Sequence, residues 1–331
     1  MRQHEGWHRA LDAQMDTHRF YSSDLGLRWA IAHFDTLLFK MQNHAQMGNK
    51  TVSFTDREES VKSLVHHLIV NLHMADTIYV TSDMQQILMQ AAHDLPDDVE
   101  VDDKTLISKM GFCLFEEPMV GKDKHDVTIT FHALLWELSL VRMQGEDEAQ
   151  PCIALHFLTD PNDMQDEVNQ ELTPRRRAEG EPIPPLDVCH FFPLFPGHPV
   201  PSLPQPIPSG VEVVHNMLKM FVAMQLLAQQ RIGEPRQMAP PRHIRKRAIK
   251  WDMNNERYVT LITLRRKSVK RDDHEPEKIE RTHRWVVRGH WRRQWYPKSK
   301  THDWKYIYEH IKGPEDAPLI ISERRIFNFR R

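Results

Sequence analysis

The sequence predicts an α+β protein. A helical N-terminal segment and a mostly antiparallel sheet come first, followed by a second small domain in which a helix packs on a basic antiparallel sheet. Apolar residues recur at helical spacing in the N-terminal part of the 331-residue chain. Segments rich in β-branched and aromatic residues follow between residues 111 and 158. A broad apolar stripe over residues 211–231 then predicts a long helix, with strand-like segments after it.

The N-terminal elements are predicted from the spacing of large apolar side chains. Residues 1–46, 58–74 and 83–93 each show apolar residues at near-helical intervals, and Ser82 can cap the third helix. Residues 77–80 are apolar or β-branched and lie between the last two helices, so we expect a short strand there.

Eight further strands are predicted from runs of β-branched and aromatic residues bounded by turn residues. Those of the first sheet are residues 111–115, 127–131, 134–141 and 152–158. Those of the second domain are residues 258–266, 282–292, 304–311 and 319–329.

A proline-rich segment separates the two predicted domains. Residues 173–210 contain 11 of the 22 prolines, and proline fits neither a helix interior nor a central strand. Its apolar stretch at 191–195 predicts a long covering loop that packs on a domain. The expected organisation is therefore an acidic α+β domain at 1–172, this loop or linker at 173–210, and a basic domain at 211–331.

Charge is divided between the two halves of the chain. The 44 Lys and Arg and 46 Asp and Glu give a net charge of −2. Residues 231–331 hold 27 basic and 13 acidic residues, a balance of +14, which leaves −16 for residues 1–230. Such asymmetry points to an anionic partner for the basic part, although the two halves could also attract each other.

Several classes of protein are excluded by missing features. The three cysteines lack CxxC spacing, so neither a disulfide framework nor a thiolate zinc site is expected, and a reducing cytoplasm is the expected location. The N-terminus shows no apolar signal region, and no apolar run is long enough to cross a membrane. Walker A, GxGxxG, GxSxG and HExxH motifs are absent, and we expect no cofactor and no metal.

The stretch from 283 to 294 is the most informative part of the basic domain. Side chains alternate between the two faces of a strand, so one face is predicted to pack and the other to face solvent. The predicted packed face carries Trp285, Val287, Gly289 and Trp291. The predicted solvent face carries Arg284, Val286, Arg288, His290 and Arg292.

Basic groups interleaved with aromatic residues are typical of nucleic-acid recognition, because cations follow the phosphates and rings stack on bases. We therefore expect the C-terminal domain to bind RNA or DNA, with strong salt dependence. The acidic N-terminal domain is expected to act as a protein-interaction or regulatory module, with a host protein as a possible partner. The predicted binding residues are Arg284, Arg288, His290, Arg292, Arg293 and Lys312, together with Arg245, Lys246 and Arg247 of a basic connection. Alternation places Arg293 on the packed side, which makes it the weakest member.

Two other functions remain open from the sequence. His290 between Arg288 and Arg292 has the residue types of a metal-independent ribonuclease of toxin type, with Tyr296, His310 or Lys312 as its partner. Alternatively, the chain is a protein-binding effector without a nucleic-acid ligand, and the basic domain docks on the acidic half.

Four segments resemble proteins of actinobacteria and their phages and plasmids. Residues 282–296 and 311–319 contain the motifs RGHWRxQ and KGPEDAPL, and residues 79–84 and 111–118 are similar to the same group. No activity is established for that group, so the resemblance implies no catalytic residue. What it implies is a cytoplasmic protein of a mobile element that acts on nucleic acid or on a host factor.

Overall fold

The computed structural model describes residues 6–30, 57–122, 128–141, 148–163, 173–174, 177–180, 183–201, 211–230, 233–251, 258–264, 284–314 and 318. Two compact units divide the chain, Met1–Arg265 and Arg266–Arg331. The helices are α1 (Arg9–Tyr21), α2 (Arg57–Met74), α3 (Ser82–His93), α4 (Val211–Gln229) and α5 (Arg242–Lys250), and residues 24–30 are also helical.

The strands of the first unit are β1 (Asp76–Val80), β2 (Glu100–Val101), β3 (Met110–Lys122), β4 (Thr128–Val141), β5 (Gln150–Thr159), β6 (Asp187–Leu194), β7 (His198–Pro199), β8 (Gly233–Met238) and β9 (Val259–Leu264). Those of the second unit are β10 (Trp285–Val287), β11 (His290–Tyr296), β12 (Thr301–Ile307) and β13 (His310–Lys312). Both helices and strands are present, so the predicted α+β class is confirmed.

A seven-stranded sheet forms the centre of the first unit, in the order β6-β5-β4-β3-β1-β9-β8. Strand β1 runs parallel to β3 and to β9, whereas the other neighbours are antiparallel. The sheet is thus mixed. Its two parallel pairs join strands that are distant in sequence, because β9 begins 179 residues after the end of β1.

Helices cover both faces of this sheet. On one face, α1 and α2 pack on β3, β4 and β5, while α1 also packs with α5 over β1 and β9. On the other face, α3 and α4 pack against each other and on β3. Trp136 of β4 meets Phe221 of α4 there, with 5.7 Å between ring centroids. Gly111 makes this contact possible, because a Cβ at that position would overlap the indole of Trp136.

The proline-rich segment 173–210 contributes a strand to the sheet, which differs from the covering loop expected from its composition. Its apolar stretch forms β6, which pairs with β5. β6 is an edge strand, so Pro193 needs no ladder partner on its outer side. The apolar residues that predicted a packed loop therefore serve as the last strand of the core.

The division between the units lies after residue 265, not within residues 173–210. Helix α4 was expected to pack on the basic sheet, but it belongs to the first unit, where it packs against α3. Strands β8 and β9 extend the same unit's sheet beside β1. The physical reason is the apolar stripe of α4, which buries Val214, Leu218 and Phe221 in the larger core.

A buried histidine lies between α2 and the sheet. His156 of β5 is 2% exposed, and neither ring nitrogen hydrogen bonds to a residue that the structure describes. The ring packs against Phe191, and it lines a cavity of about 20 Å³ together with Tyr21 and Asp187. Burial, and secondarily the charge of His67, lowers the pKa of His156 to about 4.

Acidification is expected to destabilise the protein through His156. The unfolded state binds a proton near pH 6.5, whereas the folded state resists protonation to about pH 4, so stability falls as the pH drops through this window. The loss reaches about 3 kcal/mol. The measurement is urea unfolding of wild type and His156→Phe between these pH values. The variant should show the smaller pH dependence, and equal slopes would contradict the assignment.

Candidate nucleic-acid interface

The described part of the second unit consists of two-stranded antiparallel ribbons. β10 pairs with β13, and β11 pairs with β12. The single strand expected over 282–292 is interrupted at Arg288 and Gly289. A Cβ on Gly289 would overlap the hydroxyl of Tyr306, so this glycine makes room for the ring of the neighbouring strand. The interruption means that residues before and after it belong to different ribbons.

One side of the β11–β12 hairpin, here termed the cationic face, carries His290, Arg292 and Lys305. Arg292 lies directly opposite Lys305 in the register, and strand alternation places His290 on the same side. Arg292 and His290 are exposed. The guanidinium of Arg292 donates to Oε1 of Gln294 at 2.6 Å. Two like charges at directly opposed positions repel each other, which a bound anion would offset.

The other side, here termed the aromatic face, consists of three cross-strand pairs. Nearest the hairpin's open end, Trp291 and Tyr306 lie 5.2 Å apart by ring centroids, and Trp291 is only 8% exposed. In the next pair, the Arg293 guanidinium lies 5.2 Å from the centroid of the Trp304 ring.

The third pair lies beside the turn. Trp295 and His302 lie 4.7 Å apart by ring centroids, and Trp295 is 44% exposed. The aromatic face therefore changes from buried core to accessible surface along its length. Its end near the turn offers the exposed ring of Trp295 for stacking.

The turn of the hairpin adds further positive charge. Residues 297–300 join the two strands, and Lys298 and Lys300 are exposed. Lys300 has a φ of 54°, and its amide donates to the carbonyl of Tyr296 at 2.9 Å. Residues 284–314 as a whole contain eight Lys and Arg and two Asp and Glu, a net charge of +6. One of the two carboxylates, Asp303, lies on the cationic face opposite Gln294.

The structure brings together only part of the predicted site. His290 and Arg292 share the cationic face, while Arg293 lies on the aromatic face, as strand alternation predicts. The other predicted residues of the second unit lie on or beside the other ribbon. Arg288 is exposed just before β11, the amide of Arg284 donates to the carbonyl of Pro318, and Lys312 pairs with Trp285 in the register. Their role in binding stays a prediction.

The predicted basic cluster at 242–247 forms α5 of the first unit. Arg247 approaches Asp12 at 2.9 Å and Asp16 at 3.2 Å, and its guanidinium lies 5.5 Å from the Trp251 ring centroid. These contacts hold α5 against α1, so we remove Arg247 from the candidate interface. Arg245 and Lys246 are exposed on the outer side of the same helix.

Five residues of the hairpin were not among the predicted binding residues. They are Trp295, Lys298, Lys300, His302 and Lys305. The pairing of β11 with β12 about the turn 297–300 identifies them, because it places Lys305 opposite Arg292 and His302 opposite Trp295. A hairpin was foreseeable from the Pro-Lys-Ser-Lys sequence between two aromatic-rich runs, but its register was not.

A catalytic role for His290 finds little geometric support. Nδ1 of His290 lies 3.0 Å from the carbonyl oxygen of Arg288. Tyr296, one of the predicted partners, lies at the opposite end of β11, about 20 Å away for a strand of this length. His310 belongs to β13, where its Nδ1 lies 2.7 Å from the carbonyl oxygen of Tyr308. Within the described ranges, no three His, Cys, Asp or Glu side chains are grouped to hold a metal.

No protein-family model matches the chain, and no curated protein matches it. Among solved structures, AcrVA2 is similar with a TM-score of 0.39 and 14% identity, over 92% of this chain and 96% of the AcrVA2 chain. None of the helices in the described ranges has the length and apolar character needed to span a membrane. Function has to be inferred from the residues of the site itself.

Proposed function

We propose that the second unit binds single-stranded RNA or DNA through the β11–β12 hairpin. The observation that carries this proposal is the cross-strand pair of Arg292 and Lys305 in a hairpin that also exposes the indole of Trp295. Phosphate oxygens accept hydrogen bonds from the forked guanidinium and from the ammonium group. A base stacks on an exposed indole regardless of its sequence.

The arrangement favours single strands over duplexes. An aromatic ring can stack only on a base whose face is accessible, and the bases of a duplex present their edges. The accessible ring of the aromatic face, Trp295, lies beside the turn, where Lys298 and Lys300 also project. A chain of nucleotides that crosses the turn can therefore place a base on Trp295 and its phosphates near lysines.

A phage or plasmid setting for this activity is supported by the segments that resemble proteins of actinobacteria and their phages and plasmids. These segments are residues 79–84, 111–118, 282–296 and 311–319. In that setting the chain would act as a regulatory or effector protein in the cytoplasm of an actinobacterial host. Binding rather than hydrolysis is the proposed activity, because Tyr296 lies at the far end of β11 from His290 while His310 and Lys312 belong to the other ribbon.

Binding of single strands should be tight at low salt and should weaken steeply as salt is raised. The measurement is fluorescence anisotropy of labelled single-stranded and double-stranded RNA and DNA with the full chain, at about 0.05 M and 0.2 M salt. Trp295→Ala should weaken single-strand binding by about tenfold through lost stacking, while the slope of affinity against salt stays the same.

Tyr258→Ala is the matched control, because Tyr258 is an exposed aromatic residue of the first unit. It should bind as the wild type does. Equal affinity for single strands and duplexes, or an unchanged affinity of Trp295→Ala, would contradict the stacking arrangement. Incubation of the RNA in EDTA tests the ribonuclease alternative, which requires cleavage that His290→Ala abolishes.

A further inference from the structure

An apolar groove opens between α3, α4 and the strands β3 and β4 of the first unit. It has a volume of about 240 Å³, and four methionines line it. These are Met89, Met119, Met217 and Met220, and the polar side chains of His93 and Asn216 also belong to the lining. Two of the side chains around it are unusually exposed for their type, Met89 at 51% and Val120 at 55%. Nothing in the nucleic-acid proposal uses this groove.

The volume of the groove fits one large side chain. Sites for drug-sized ligands typically occupy about 300–1,000 Å³, so this groove is small for a cofactor or a complete metabolite. An apolar cavity of about 150 Å³ holds a benzene molecule. A single phenylalanine, leucine or tryptophan from another chain is therefore the expected occupant, and the rest of that chain would lie across the surface.

The wall combines adaptable and fixed parts. Methionine side chains are unbranched and polarizable, so they adjust to apolar side chains of different shape. The base of the groove is fixed where α4 meets β3, because a Cβ on Gly121 would overlap Val213. Such a surface suits an amphipathic segment that inserts an apolar anchor into a groove.

The charge of the residues around the groove determines which sign of charge a partner should carry. In the chain around the lining residues, Asp94, Asp97, Asp98 and Glu212 are acidic and Lys122 and Lys219 are basic. One of the lysines, Lys219, already pairs with Asp97 at 2.9 Å and lowers the pKa of that carboxyl group. The field around the groove is therefore negative, which attracts a basic peptide and repels nucleic acid.

We propose that this groove docks a basic amphipathic segment of a partner protein, with one large apolar side chain as the anchor. The proposal is independent of the nucleic-acid proposal, because it uses residues of the first unit alone. It gives the acidic half of the chain a defined surface for a protein partner. Residues on the opposite face of the sheet take no part.

The test uses a labelled peptide of about 18 residues, built of leucine and lysine at helical spacing with one central phenylalanine. A second peptide carries glutamate in place of each lysine. Fluorescence polarization with the full chain should show at least about tenfold tighter binding of the lysine peptide. Met89→Lys should weaken that binding by about tenfold or more, because it places a cation beside the groove.

Met74→Lys is the matched control, because Met74 is 59% exposed at the end of α2 on the other face of the sheet. It should bind the lysine peptide within about twofold of wild type. Ala92→Phe places a ring inside the groove, so it should block binding while the thermal midpoint stays equal or rises.

Three results would overturn the proposal. The first is equal weakening by Met89→Lys and Met74→Lys, which indicates general charge attraction. The second is full peptide binding by Ala92→Phe. The third is sedimentation showing a self-associated chain that Met89→Lys converts to monomer without any peptide binding, because the occupant would then be a second copy.

Discussion

Replacing Arg292 and Lys305 together with glutamate is expected to reduce the affinity for single-stranded nucleic acid by about 100-fold at low salt. Each lost phosphate contact costs about 1.4 kcal/mol, in the range of a hydrogen bond to a charged group. Both residues lie on the cationic face at directly opposed positions. The slope of log affinity against log salt should fall by about 1.4, since each single-strand phosphate contact contributes about 0.7.

The single variant Arg292→Glu separates binding from folding. In the wild type, the cation of Arg292 lies opposite the cation of Lys305, whereas the variant places a carboxylate opposite Lys305. Opposite charges across a ribbon stabilise it by up to about 1 kcal/mol, so the hairpin should be at least as stable as before. The same change removes a phosphate contact and adds repulsion. Affinity should therefore fall by about tenfold or more while the thermal midpoint holds or rises.

The control for net charge is the double variant Lys104→Glu and Lys109→Glu. Both lysines are exposed in the first unit, and the double variant changes the net charge as much as the hairpin pair does. It should alter affinity by less than about threefold, because neither lysine belongs to the hairpin whose phosphate contacts set the affinity. If this control loses as much affinity as the hairpin variant, attraction by the chain's overall charge explains the binding. The assignment of the binding site to the cationic face would then be wrong.

Local patterns were sufficient to predict most elements of the first unit. Helices α2 and α3 and strand β1 were each predicted to within one residue at both ends, because apolar spacing and turn residues are local signals. Strand β9 was also predicted, but its pairing with β1 was not. That pairing depends on where the chain returns after α4 and α5, which local periodicity does not record.

The proline-rich segment shows a different limit. Its composition excluded a central strand, and that inference is consistent with β6 at the edge of the sheet. Composition alone does not distinguish an edge strand from a packed loop, because both are apolar, extended and tolerant of proline. Burial of Val188, Phe192 and Leu194 shows that the segment completes the core.

The candidate interface was predictable in residue types and only partly in geometry. Alternation correctly separated Arg292 from Arg293, which lie on opposite faces of β11. The interruption at Gly289 was not predictable, because its cause is the ring of Tyr306, seventeen positions further along the chain. The site therefore centres on the β11–β12 hairpin, and residues after the turn supply half of it.

The largest expected loss of stability comes from Asp187→Ala in the core of the first unit. The Asp187 carboxylate accepts hydrogen bonds from the Tyr21 hydroxyl, from Nε1 of Trp29 at 2.7 Å and from the Val188 amide at 2.9 Å. Its loss leaves buried donors unpaired and opens space beside an existing cavity. We expect the free energy of unfolding to fall by about 4 kcal/mol, measured by urea denaturation.

A double-mutant cycle with Tyr21→Phe identifies the reason for this loss. If the hydrogen bond between Tyr21 and Asp187 accounts for this loss, the free energy of unfolding of the double variant should fall by less than the summed losses of the single variants. The difference should be at least about 1 kcal/mol. Tyr21 itself reports on the contact, because burial and the Asp187 charge both raise the pKa of its hydroxyl. Asp83→Ala serves as the control, since Asp83 is exposed at the start of α3. Additive effects, or a loss below about 1 kcal/mol for Asp187→Ala, would mean that α1 and residues 24–30 are held to β6 by apolar packing alone.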